Sequence, residues 1–81
     1  MRLDKYLKNS RLIKRRTIAN EACDAGKVIV NGKVARASYD VKLGDIIEIQ
    51  MGPRPVRVKV QEISEHATKA DAATMYVVVS E

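Results

Sequence analysis

Apolar residues at the start of the chain recur at helical spacing. Leu3 and Leu7 are four apart and share a face with Tyr6, while Arg2, Lys5 and Lys8 project elsewhere. Asn9 and Ser10 interrupt the pattern, which resumes with Ile18, Ala19, Ala22 and Cys23. That spacing predicts a second helix that begins between Lys14 and Thr17, runs to Ala25 and stops at Gly26. Three of its four apolar residues are small, so another element can approach closely.

Beyond Gly26 the period shortens to two. "KVIV" followed by "NG" reads as a strand and a hairpin turn, because Asn and Gly both accept positive φ. "KVA" returns from it. "DVKLGDIIEIQM" holds a turn at Leu43-Gly44-Asp45 and then a strand, and the prolines of "GPRP" exclude regular structure. In "VRVKVQEI", Val56, Val58 and Val60 point one way and Arg57, Lys59 and Gln61 the other. This predicts a half-buried antiparallel strand with a basic outer row. "ATKADAATM" reads as a short helix or a turn, and "YVVVS" as a last strand. The expected fold class is α+β, with two short N-terminal helices packed on a small, mainly antiparallel sheet. A chain of 81 residues is expected to form one domain, 1–81.

Charge changes the picture. The net charge is +5, and seven of the fifteen Lys and Arg residues fall between Arg2 and Arg16, with Asp4 as the one acid among them. Arg2, Lys5, Lys8, Arg11, Lys14, Arg15 and Arg16 form either a solvated helix surface or one basic face for a polyanion, if the two helices lie side by side. The chain has no Trp or Phe, so its core is aliphatic, and only Tyr6, Tyr39 and Tyr76 could stack on bases. Structured RNA, read through phosphates and shape, is therefore expected over single strands.

Catalysis has little support. One His (His66) and one Cys (Cys23) make no zinc site of the usual type, and no phosphate-cradling "GxxxxGK" loop occurs. No catalytic residue, metal or cofactor is expected, and Cys23 reads as a small core residue. The basic start is not followed by the apolar run of a secretory signal, and "MYVVV" and "VIV" are too short to cross a bilayer. A cytoplasmic, non-enzymatic binding factor is expected, with no membrane partner.

The order "RLDKYL…RR…A…GKVIVNGKVA…DVKLGDIIEI" resembles the alpha-L RNA-binding domain named after small-subunit ribosomal protein S-four. The resemblance covers roughly 2–50 and leaves 51–81 as a C-terminal β extension. The family usually has Ser-Arg where this chain has Arg15-Arg16, which puts one helix-capping bond in doubt but not the Arg. Across the whole chain, "SRLIKRRTIANE" and "ADAATMY" are similar to a bacterial family of ribosome-associated quality-control P-site factors. The small ribosome-binding heat-shock proteins are related to it, and they carry a longer basic tail.

The resemblance implies binding to rRNA of large ribosomal subunits obstructed by peptidyl-tRNA, and contact with the P-site tRNA. It further implies cooperation with a partner protein that recruits alanyl-tRNA, so that alanine tails mark the stalled chain. The alternatives are a recycling, heat-shock or large-subunit assembly factor of the same fold, or a protein-docking accessory subunit of an enzyme. A monomer is expected.

The candidate RNA contacts are the seven cations, led by Arg2 and Arg16. Asp4 reads as a first-turn helix residue, as an orienter of Arg2 or Arg16, or as an acceptor for an RNA hydroxyl, with orientation favoured. Asn31, Lys33, Tyr39 and Arg57 are secondary candidates. Asn31 is a turn residue first, and Arg57 belongs to the solvated sheet face.

Overall fold

The computed structural model describes residues 1–64, 72 and 74–79. Its elements in chain order are α1 (Leu3–Asn9), α2 (Arg16–Asp24), β1 (Val28–Val30), β2 (Lys33–Val34), β3 (Ile46–Ile49), β4 (Val56–Val60) and β5 (Tyr76–Val78). The strands form one sheet in the order β2-β1-β3-β4-β5, every pair antiparallel. The α+β expectation therefore holds, with the sheet wholly rather than mainly antiparallel. No helix among the described residues is long and apolar enough to cross a membrane.

The core is aliphatic as composition requires. Leu3, Tyr6 and Leu7 of α1 meet Ala19, Ala22 and Cys23 of α2, and the cluster continues into Val28, Ile47, Val58 and Val60 of the sheet. Burial pushes the Cys23 thiol up to about 11, which is the behaviour of a packed core thiol rather than a reactive one. Tyr6 is fully buried, and its hydroxyl donates to the Met75 carbonyl at 2.7 Å. That ring ties α1 to the C-terminal strand and has no face left for a base.

Two expected inward residues are exposed. Ile18 is exposed although it belongs to the apolar run of α2. On β4, Val58 and Val60 are buried, but Val56 opens to solvent at the strand's first position, beside the exposed loop 51–55. The alternation is real, and exposure at the end of the strand interrupts its burial. The helix-or-turn expectation for 67–75 lies mostly outside the described residues, as does His66. Within it, the Met75 N–H donates to the Ala72 carbonyl.

The N-terminal N–H groups of a helix lack intrahelical partners and must find others. In α1 a strap formed by 37–41 supplies two of them. Leu3 N–H donates to the Tyr39 carbonyl at 2.8 Å and Asp4 N–H to the Ala37 carbonyl at 3.2 Å, while Lys5 N–H donates to the Asp4 carboxylate at 2.8 Å. The Met1 ammonium closes the strap on Asp40 at 2.7 Å. At the other end, Arg11 follows the Ser10 cap with φ 62, the left-handed conformation usually taken there by glycine. For an L-residue that geometry costs about 1–2 kcal/mol.

Candidate nucleic-acid interface

Asp4 lies on α1 and Arg16 and Asn20 lie one turn apart on α2, so packing of the two helices brings all three together. Arg2 donates through Nε to Asp4 Oδ1 at 3.2 Å and through Nη2 to Oδ2 at 3.4 Å. Arg16 Nε donates to Oδ2 at 3.3 Å, and Asn20 Nδ2 to the same oxygen at 3.4 Å. The Asp4 side chain is 3% exposed, whereas those of Arg2 and Arg16 are 50% and 48% exposed. The anion is thus hidden and the two guanidinium groups are offered to solvent. Burial alone would raise the Asp4 pKa, but the bonds from Arg2, Asn20, Arg16 and the Lys5 N–H outweigh it and hold the carboxyl below its ordinary value.

The orientation reading of Asp4 is the one this geometry favours. Asn20 is not among the residues expected from the sequence, although its spacing of four from Arg16 places it on the same helix face. Lys8, Arg11, Lys14 and Arg15 are exposed along the end of α1 and the turn into α2, and Lys5 is half-buried on α1. Of these five, Lys5 is tied to the Asp4 cluster through its backbone N–H. Arg15 occupies the N-cap of α2 and makes no side-chain capping bond, as the replaced serine foretold.

Three of the four secondary candidates have internal duties. Asn31 (φ 52) and Gly32 (φ 83) form the expected turn. The Asn31 carboxamide donates to Asp45 Oδ1 at 3.0 Å and accepts from the Ile46 N–H at 3.0 Å. Tyr39 donates its hydroxyl to Asp45 Oδ2 at 2.8 Å, and that bond raises the phenol's pKa. Asp45 is buried, which opposes ionisation, yet bonds from Lys42 N–H, Asn31 and Tyr39 hold its pKa down. Arg57 pairs with Glu48 across β3 and β4 at 2.7 Å, so the basic outer row is partly neutralised. Lys33 is exposed at the start of β2, beside the turn.

The S4 domain family matches residues 1–47, more than half of the chain, and a protein of Streptococcus pneumoniae named "RQC P-site tRNA stabilizing factor" is 52% identical over 81 residues. The chain belongs to the S4 domain family and, within it, to the RQC P-site tRNA stabilizing factors. The Streptococcus match covers all of this chain and 92% of that protein. A Bacillus subtilis protein of the same name is 49% identical, again over the whole chain and 94% of its own length. Among solved structures, the trimeric structure of Vibrio cholerae Heat Shock Protein 15 superimposes with a TM-score of 0.91 at 31% identity, over 99% of this chain and 82% of that one. The S4 match ends before β4, and the likeness to the Streptococcus and Bacillus proteins extends over β4 and β5.

Proposed function

We propose that the protein is a non-enzymatic RNA-binding factor of ribosome quality control. It binds large ribosomal subunits obstructed by peptidyl-tRNA, holds rRNA through its helical face and stabilises the P-site tRNA. The finer reading places this during alanine tailing, beside a partner that recruits alanyl-tRNA, with the protein itself monomeric and cytoplasmic. The name of its relatives supports the ribosomal and tRNA part.

The observation that carries the reading is the Asp4 cluster. A buried carboxylate fixes two half-exposed guanidinium planes before any ligand arrives. Arginine grips phosphate oxygens through a planar fork, and a fork already held in place loses less side-chain freedom on binding. The β half would set the angle of this grip and turn a second surface towards tRNA.

Tagged wild type and Arg16→Ala are sedimented from lysate through a sucrose gradient, and the bound fraction is probed for peptidyl-tRNA. Wild type is expected on large subunits that carry peptidyl-tRNA, with the variant at the top. Arg16 is tied to a buried anion, so its loss costs about 1 kcal/mol rather than nothing, and a melting curve verifies that the variant is folded. Recovery of wild type on empty subunits would instead support the recycling role. The whole-chain likeness to a heat-shock protein keeps that second reading in play. Wild type staying at the top of the gradient would remove the ribosomal reading.

A further inference from the structure

A cleft of about 560 Å³ opens between the β1–β2 hairpin and the strap. Val30, Val34 and Ala35 give it apolar lining, and Lys33, Arg36 and Tyr39 supply two cations and an aromatic ring. Val34 is 64% exposed, so its side chain is open to a ligand in the cleft. Two walls of the cleft are pinned to one group: Asn31 and Tyr39 both donate to the Asp45 carboxylate. The ring is therefore held at a fixed distance from the hairpin without a ligand.

A second cleft of about 480 Å³ shares Val34, Ala35, Arg36 and Ser38 with the first, and Arg2 also lines it. Arg36 makes no ion pair among the described residues, and it stands where the two clefts meet. The exposed cations thus run from Arg16 and Arg2, across Arg36, to Lys33. The strap causes this continuity, because its carbonyls cap α1 beside Arg2.

We propose that the hairpin–strap cleft receives one unpaired nucleotide of the bound RNA. Its base lies against the Tyr39 ring and the apolar lining, and its phosphate lies between Lys33 and Arg36. A cleft of this kind combines the two elements that single-stranded nucleotides need, a stacking face and a cationic edge. An apolar lining alone would suit a protein side chain equally well. The two cations, and their continuity with the Arg2 end of the Asp4 cluster, favour a phosphate-bearing ligand. The inference rests on the RNA-binding reading above and adds to it a site between the strap and the hairpin.

The test uses the full chain and purified large subunits carrying peptidyl-tRNA. Arg36→Ala removes the phosphate partner. Val34→Glu places an anion on the lining at an exposed position, so folding is expected to be unaffected and a melting curve checks it. Each variant is expected to bind roughly tenfold more weakly, the scale of one stacked base. A benzophenone side chain installed at position 34 is expected to crosslink to one nucleotide. Reverse transcription of the rRNA and of the tRNA then shows which of them supplies it. Wild-type affinity in both variants, with Arg16→Ala still failing, would overturn the nucleotide site and leave the proposed function standing. Crosslinks to protein alone would overturn it in favour of a protein ligand. Wild-type affinity in Arg16→Ala, with loss in the other two, would count against the Asp4 cluster and for the cleft.

Discussion

Asp4 is the residue on which the proposed site turns. Its two oxygens receive Arg2, Arg16, Asn20 and a backbone N–H, which leaves a cationic surface over a buried anion. Its folded pKa lies below the ordinary 3.8, so its contribution to stability is complete above that value and disappears as pH falls through the lower folded pKa. Asp4→Asn is expected to lower stability at pH 7 by about 1.5–3 kcal/mol, the worth of hydrogen bonds to a charged group. The acid limb of its stability profile below roughly pH 4 should also be flatter than that of the wild type. Denaturant titrations across pH measure both effects. A variant as stable as wild type at pH 7 would show that the arginines do not depend on Asp4. The neighbours of Asp4 were only partly legible in the sequence. Arg2 and Arg16 stand out as its partners by residue type, whereas Asn20 needs the helix pairing to bring it in.

At the scale of elements, α2 shows a compromise. A serine at its N-cap would accept a hydrogen bond from a free N–H of the first turn, and Arg15 cannot. Arg15→Ser is expected to raise stability by about 1 kcal/mol. For a domain of this size that corresponds to about 4–8 °C in Tm. The same change removes one cation, so RNA affinity should fall, and the slope of log K against log salt should become shallower by about one. Calorimetry and binding at several salt concentrations separate the two effects. Arg11 makes a parallel compromise, keeping a charge at a left-handed position that glycine would occupy with less strain. Both sites lie in the segment that joins the helices, where the protein keeps cations at some local cost. The hairpin was legible because Asn-Gly has a conformational reason to turn. Val56 and Ile18 were misjudged because periodicity tells which way a side chain points but not whether anything covers it.

For the whole molecule, the arrangement of charge predicts how binding responds to salt. If all seven cations from Arg2 to Arg16 neutralise phosphates, log K against log salt should fall with a slope of about −5 to −6. A slope near −2 would confine the contact to Arg2 and Arg16. The cations differ in how they are held. Arg2 and Arg16 are organised around Asp4, others stand along the inter-helix turn, and Arg57 is tied to Glu48 on the sheet. The fold's ends are joined by Tyr6, whose hydroxyl reaches the Met75 carbonyl, a contact between residues 69 positions apart.

By itself the sequence determined the two helices, the hairpin, the antiparallel strands, the aliphatic core and the excess of positive charge near the start. Each follows from local rules, because helical spacing, alternation, turn chemistry and charge need no knowledge of distant residues. Tertiary structure alone decided that Asp4 would be buried with Asn20 joining the two arginines on it, that the Tyr6 hydroxyl would reach the Met75 carbonyl, and that Asn31 and Tyr39 would share Asp45. It also brought Arg36 into line with Arg2. These are pairings between side chains on different elements, set by how helices, strap and sheet pack, and no spacing along the chain encodes them.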